Sequence, residues 1–262
     1  MGGPVSAIKA LRIVGATARD SAHSMTTSCQ FNLCDGTGWI IENIDGTDTC
    51  RECSCVKAKR KQEKIDRLFQ TAKIPRRYRS KTLDNFIVER QPKAHRSAVR
   101  YVDRFTELRN ENKNGLCLVG PTGTGKSHIA FAVLNALLEK SVSAVAGVVP
   151  DLLDSLRPKS GNDRQAEAEQ RLELLKSADL VLLDDLGSEK GSDWSVERLY
   201  LIINARYIEQ LPTIITTNLP LEKLIMDKKG NPVLAWERIV SRIREMCYVL
   251  IMDGEDFRCP LL

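Results

Sequence analysis

The chain has 262 residues, 42% of them hydrophobic and 28% charged, the composition of a soluble globular protein long enough to bury a core without staples. Its apolar runs, such as residues 145–149 and 180–183, fall far short of the roughly 20 residues that span a bilayer, so no membrane role is expected. The formal charge of +5 permits an anionic partner without demanding one, and eight cysteines suit metal or catalysis in a reducing compartment or disulfides in an oxidising one.

At the N-terminus, Met1-Gly2-Gly3-Pro4-Val5-Ser6 fits a short acylation pattern. Residues 7–19 carry Lys9, Arg12 and Arg19 without an acid but lack the continuous apolar segment of a secretory signal. The expectation is a flexible tail over residues 1–28, with Met25 as an alternative start, on a cytoplasmic chain whose thiols stay reduced.

Five cysteines then fall close together: Cys29, Cys34, Cys50, Cys53 and Cys55. Turn signals at Asp35-Gly36-Thr37-Gly38 and Asp45-Gly46 separate a C-x4-C pair from a C-x2-C-x-C group. Zinc takes four soft ligands in a tetrahedron, and two short cysteine pairs joined by a hairpin supply them. Four of the five are expected to bind Zn²⁺: Cys29, Cys34, Cys53 and either Cys50 or Cys55. Metal also gives a segment with few large apolar side chains a reason to fold. Cys117, Cys247 and Cys259 stand alone and read as small core residues.

Charge is unevenly distributed. Residues 1–56 sum to −2, residues 57–81 hold eleven Lys and Arg against Glu63 and Asp66 for +9, and the rest sum to −2. Val56, Ile65, Leu68 and Phe69 recur among these charges as one face of a helix that Pro75 ends. The basic stretch is either a solvated linker or a contact for nucleic acid or an acidic protein.

Next comes a phosphate site. Residues 115–119 read as a buried strand, followed at once by Gly120-Pro121-Thr122-Gly123-Thr124-Gly125-Lys126-Ser127, the full G-x4-G-K-[ST] pattern. In it, backbone N–H groups curl around phosphates, Lys126 reaches the β and γ oxygens, and the Ser127 hydroxyl ligates Mg²⁺. Ile129, Ala130, Val133, Leu134, Leu137 and Leu138 then recur at helical spacing, which aims a helix N-terminus at the nucleotide. A later apolar strand ends in Asp184 and Asp185. Asp184 is placed to hold Mg²⁺ and Asp185 to polarise the attacking water. A third strand, residues 213–217, ends at Asn218, a γ-phosphate sensor in this order of elements. Residues 236–246 read as a helix with Arg238 and Arg242 on one face, suited to an arginine finger for a neighbouring subunit. Arg258, in Gly254-Glu255-Asp256-Phe257-Arg258, is a candidate contact to the nucleotide of its own subunit.

Residues 120–128, which include His128, the stretch Leu182-Leu183-Asp184-Asp185-Leu186-Gly187-Ser188-Glu189-Lys190, Asp193-Trp194-Ser195, residues 199–207 and Thr216-Thr217-Asn218-Leu219 together resemble the DnaC/DnaI helicase loaders and their IstB-type relatives over roughly residues 75–258. Ile74-Pro75 and Thr82-Leu83-Asp84-Asn85-Phe86 resemble that group's lead-in to the ATPase domain, and the cysteine module with Gly36-Thr37-Gly38-Trp39 resembles the zinc region of loaders from Gram-positive bacteria, their phages and mobile elements.

The resemblance implies an α/β AAA+ P-loop NTPase: a parallel central sheet flanked by helices, with no separate helical lid, behind a small N-terminal zinc-binding module. The expected organisation is a tail at 1–28, the zinc module at 29–56, a basic linker helix at 57–81 and the ATPase domain at 82–262. Residues 120–128 and Arg258 would bind ATP, with Mg²⁺ on Ser127 and Asp184. Residues 151–177, with Lys159, Arg164 and Arg171, resemble the extra helical insert of loaders and initiators. The implied activity is ATP-dependent loading of a DnaB-type hexameric replicative DNA helicase, which the N-terminal module grips while the ATPase domain binds single-stranded DNA and self-associates. Hydrolysis is then slow for an isolated subunit, because Arg238 or Arg242 must come from a neighbour. Two other readings stand beside this one: an IstB-like transposition helper, and a non-hydrolysing interaction protein, suggested by Asp185 where many ATPases of this group carry Glu.

Overall fold

A computed structural model describes residue 29 and residues 33–34, 36–44, 47–157, 162–188, 192–227 and 229–258. The acylation pattern, the basic segment 7–19, Met25, Asp35, Asp45-Gly46, Lys159 and Cys259 lie outside the described residues. The chain divides into two units, residues 1–59 and 60–262.

In the first unit β1 (Trp39–Ile44) and β2 (Thr47–Glu52) form an antiparallel hairpin in which Trp39 faces Glu52 and Ile41 faces Cys50. Arg51 and Glu42 pair across its exposed surface at 2.6 Å. Gly38, at φ +85, turns the chain into β1, and its carbonyl accepts the Cys53 N–H at 2.8 Å. Among the described residues of this unit, Cys29 and Cys53 are the buried apolar side chains. The helix α1 (Ser54–Ala72) starts directly behind Cys53 and runs on into the second unit. It stops at Lys73, whose φ of +53 is left-handed, two residues before Pro75.

The second unit is built on five parallel strands. After α2 (Pro92–Asp103) and α3 (Phe105–Leu108) come β3 (Gly115–Val119), α4 (Lys126–Glu139), β4 (Ala144–Val148), α5 (Val149–Ser155), α6 (Asn162–Ser177) and β5 (Leu180–Asp184). Then follow α7 (Asp193–Ile208), β6 (Thr213–Thr217), α8 (Leu221–Leu224), α9 (Leu234–Met246) and β7 (Cys247–Ile251). The strand order is β4-β5-β6-β3-β7.

Alternation along the strands builds two cores, one on each face of the sheet. Leu116, Leu118, Leu180, Leu182 and Ile214 face α2 and α4, where Ala98, Tyr101, Phe131, Leu134 and Leu138 pack. Cys117, Val119, Val181, Leu183 and Ile215 face the helices that carry Leu153, Leu199, Ile203, Ile239 and Ile243. Central strands buried on both sides read as continuous apolar runs, which is why β3 and β5 stand out in the sequence. The edge strand β7 is equally apolar in sequence but is not buried on both sides: Tyr248, Val249 and Ile251 remain exposed. No helix follows β7 among the described residues.

The register Val119↔Thr217, Leu183↔Ile215 and Val148↔Asp184 sets the C-terminal ends of these strands at one edge of the sheet. Strand order reverses at β3, since β4, β5 and β6 lie to one side of it and β7 to the other. Open α/β sheets bind ligands in the crevice beyond the strand ends at such a point.

Candidate nucleotide site and thiol cluster

The loop at residues 120–125 links β3 to α4 at this crevice. Gly123 and Gly125 have φ of +87 and +93, in the left-handed region, and a Cβ at Gly123 would overlap the Asp256 carboxylate. Gly125 also lies against Phe86, whose ring edge would be 2.8 Å from a Cβ there. The loop is thus pinched between the lead-in at Phe86 and the chain that leaves β7. Lys126 opens α4 and is buried, with Nζ donating to its own loop at Pro121 O, 2.6 Å away, while Thr124 Oγ1 donates to the same carbonyl at 3.0 Å. Burial pushes the Lys126 ammonium below its ordinary value, and the facing Asp185 pulls it back up.

Asp184 is the last residue of β5 and is 3% exposed. Desolvation raises its carboxyl above the ordinary value, opposed by hydrogen bonds from the Thr216 and Ser127 hydroxyls. Thr216 Oγ1 donates to Asp184 Oδ1 at 2.7 Å and accepts the Asp185 N–H at 2.9 Å. That bond fixes Asp185 in a left-handed conformation, φ +63, at the strand end. The Asn218 amide in turn donates to Asp185 Oδ1. Lys126, Ser127, Asp184, Asp185 and Asn218 therefore line one cavity of about 580 Å³, together with residues 122–125, His128 and Arg258. A buried cation bonded to nothing better than its own loop carbonyl, beside a hydroxyl–carboxylate pair, fits a triphosphate with its Mg²⁺.

Three expected ligands, His128, Gly120 and Pro121, take different positions. His128 lines the cavity, but its Nε2–H is shared between Asn85 Oδ1 at 2.8 Å and Thr82 O at 3.2 Å, so it ties the 82–85 turn to α4. That turn closes on itself through Thr82 N to Asn85 Oδ1 and Asn85 N to Thr82 Oγ1. Pro121 lines a neighbouring cleft with Gly120, Val249 and Ile251, and reaches the nucleotide cavity only through its carbonyl on Lys126.

Arg238 and Arg242 lie on α9, outside the lining of the cavity. Arg242 donates to Asn204 Oδ1 at 2.9 Å and to Arg238 O at 3.0 Å, and its guanidinium lies over Tyr200 and Tyr207 at 5.1 and 5.4 Å. Arg238 is exposed. Thr216 and Asn85 were missed as site residues. Thr216 looks like any β-branched strand residue, and only the pairing of β6 with β5 puts its hydroxyl on both aspartates.

In the first unit, the sulfurs of Cys29, Cys34, Cys53 and Cys55 all lie within 4.8 Å of one another. Cys29 and Cys53 are 3.7 Å apart and Cys34 and Cys55 3.6 Å, against about 3.8 Å between corners of a tetrahedron with Zn–S bonds of about 2.3 Å. The geometry fits a zinc ion. Packed against the Cys53 thiol and partly desolvated, the Cys55 thiol is pushed up to about 12. Cys50 lies exposed on β2, outside the cluster. Of the two alternatives, Cys55 is therefore the one the structure brings together with Cys29, Cys34 and Cys53. Cys117 and Cys247 are buried in the core.

Comparison with known proteins agrees with this geometry. The chain is similar to the uncharacterized protein YqaM of Bacillus subtilis, 28% identical over 218 residues that cover 78% of this chain and 64% of YqaM, just under two thirds of that relative's length. The phage-like element PBSX protein XkdC of the same organism is 26% identical over 86% of this chain and 82% of its own. The replicative helicase loader DnaC of Buchnera aphidicola is 28% identical over 70% of this chain and 71% of its own. Among solved structures, that of the DnaC helicase loader matches at 29% identity and a TM-score of 0.55, covering 68% of this chain and 99% of the other. The DnaI structure matches at 25% and 0.56, covering 70% and 94%. The sheet and its flanking helices are of the AAA+ type. A model of the IstB-like ATP binding protein family matches residues 53–260, and the chain belongs to that family.

Proposed function

We propose that this chain is an ATPase that loads a ring-shaped replicative DNA helicase onto single-stranded DNA. The observation that carries the reading is the closed set Lys126, Ser127, Asp184, Asp185 and Asn218 at the strand ends of a chain whose relatives include named helicase loaders. Lys126 and the loop N–H groups hold the β- and γ-phosphates. Ser127 and Asp184 hold Mg²⁺, which neutralises phosphate charge when bound. Asp185 orients and polarises the attacking water. The Asn218 amide, which ties up Asp185 Oδ1, is a further donor to the γ-phosphate, so nucleotide would draw it off Asp185 and free that carboxylate for the water. Asp is shorter than Glu, which suits a slow, partner-controlled ATPase.

The remaining parts follow from the same reading. The thiol cluster with Zn²⁺ shapes a module that grips the helicase, and the basic stretch 57–81 contacts DNA or an acidic protein surface. Self-association brings Arg238 or Arg242 of one subunit to the nucleotide of the next. The test is size-exclusion chromatography of the full chain with the replicative helicase of its host, in ATP and in ADP. Co-elution that depends on nucleotide is expected. Absence of a complex in either nucleotide overturns the loader reading. ATPase activity stimulated by a transposase instead would move the chain to the transposition-helper reading.

A further inference from the structure

The chain leaving β7 does more than end the sheet. Because β7 pairs with β3 on the side away from β6, residues 253–258 approach the phosphate loop from the side opposite Asp184, Asp185 and Asn218. They clasp the loop there. The Phe257 N–H donates to Gly123 O at 3.4 Å, Asp256 covers the face of Gly123 where a side chain would stand, and the Gln91 amide donates to Asp253 O at 2.5 Å. Asp256 Oδ1 accepts the Arg258 N–H at 2.9 Å, which closes the tight turn that presents Phe257. The Phe257 ring folds back to 3.6 Å from where a Cβ on Gly254 would lie, and the Arg90 guanidinium stands over it at 4.4 Å.

Phe257 and Arg90 line the same cavity as the phosphate-binding groups, and so does Ile87, which is 49% exposed. A pocket that bound only phosphate would have no use for an exposed isoleucine and an aromatic ring. The γ-phosphate end is fixed by Asp185 and Asn218, so the nucleoside of a bound nucleotide must emerge on the β7 side, where these apolar side chains are.

We propose that Phe257, braced by Arg90, is the surface against which the nucleoside packs, so that the strap at 253–258 sets how well the site distinguishes a nucleotide from bare polyphosphate. The inference rests on the nucleotide reading of the cavity and adds to it the side chain that recognises the nucleoside. A ring that stacks on a base contributes to every nucleotide but nothing to inorganic phosphate chains.

The test is calorimetric titration of the full chain with ATP, ADP and inorganic tripolyphosphate, each with Mg²⁺, for the wild type, Phe257→Ala, Phe257→Leu and Phe257→Tyr. Phe257→Ala should weaken ATP and ADP about tenfold and leave tripolyphosphate within about twofold, while Phe257→Tyr stays near wild type. Phe257→Leu keeps apolar volume beneath Arg90 without the ring and should lose nucleotide affinity in the same direction, so a poorly folded alanine variant leaves the question answerable. An equal loss for tripolyphosphate would mean that the strap merely shapes the phosphate loop, and overturns the proposal. So would unchanged ATP affinity in the alanine and leucine variants. A wild-type chain that binds tripolyphosphate as tightly as ATP overturns the nucleoside contact but leaves the phosphate site standing, whereas one that binds neither removes both readings.

Discussion

Asp184, the carboxylate we propose as a Mg²⁺ ligand, shows what burying such a group costs a protein in the absence of metal. Its carboxyl is held above the ordinary value by desolvation, so between the ordinary and the raised value the folded chain keeps a proton that the unfolded chain has lost. Stability therefore falls as pH rises through that window and stays lower above it. Asp184→Asn removes this loss, and an amide oxygen there can still accept from Thr216. Without nucleotide, the variant is expected to match wild type at about pH 4 and to melt higher at neutral pH by about 2–4 °C, with Mg²⁺-dependent hydrolysis gone. Thermal melts of both proteins from about pH 4 to 8 check this, and a variant that melts lower at neutral pH would show that the hydroxyl bonds outweigh desolvation. Asp184 could be picked out in advance because a strand ending in aspartates after a phosphate loop has one economical chemical use. Arg206 could not. In the sequence it is one more arginine late in a helix, yet it is fully buried and donates to Pro212 O, Ala178 O, Leu175 O and Thr213 Oγ1 at 2.6, 2.9, 3.1 and 2.9 Å. Burial lowers it to about 9. It staples the ends of α6 and α7 to the start of β6, and only the fold brings those carbonyls together.

Among the elements, legibility followed isolation. The phosphate loop sits between a buried strand and a helix of unmistakable period, and β3, α4, β5 and β6 lie where that order puts them. β7 went unnamed because α9 runs into it without a break: Met246 ends the helix and Cys247, at φ −116 and ψ 142, is already extended. With no Gly or Pro at the boundary, the apolar run from Met246 to Met252 straddles the end of the helix and hides where the strand begins. In the thiol module, spacing offered five cysteines and the hairpin register sorted them. Cys50 sits within β2 opposite the exposed Ile41, while Cys53 and Cys55 follow the strand end and turn towards Cys29 and Cys34. Cys29 and Cys53 are this unit's buried apolar side chains among the described residues, and a module with so few is expected to owe its order to the metal we propose for it. Chelation of zinc should therefore abolish hydrogen-exchange protection of the β1–β2 amides and leave that of β3–β7 intact. Cys50→Ser is expected to keep one zinc per chain by metal analysis, whereas Cys53→Ser loses it. Equal loss in the two variants would remove Cys55 from the ligand set.

For the molecule as a whole, the proposed arginine finger would place one catalytic group in a neighbouring chain. The crevice at the strand ends carries a phosphate loop, two carboxylates and an amide, and Arg77, Arg90 and Arg258 line its cavity, whereas Arg238 and Arg242 are mounted on α9 outside its lining. Arg242 is held at a defined angle by Tyr200, Tyr207 and Asn204. A guanidinium stacked and fixed on the outside of a domain is pre-organised to meet a carboxylate or phosphate of another molecule, with less rotamer entropy left to lose on contact. If α9 completes a neighbour's site, two defects on opposite sides of the interface must complement each other. Lys126→Ala destroys a chain's own site but leaves its α9 intact, whereas Arg242→Ala or Arg238→Ala leaves the site intact and disarms the donor. Each variant alone should hydrolyse ATP about a thousandfold more slowly than wild type if its arginine is the finger. An equimolar mixture then pairs an intact site with an intact donor at about one interface in four, and activity should recover to about a quarter of wild type. Steady-state ATPase assays of the single and mixed proteins, with single-stranded DNA present, read this directly. Recovery with one arginine variant and not the other identifies the finger. A mixture no more active than its parts would show that each subunit hydrolyses with its own residues alone, and would assign to Arg242 the narrower task of packing α9 against α7.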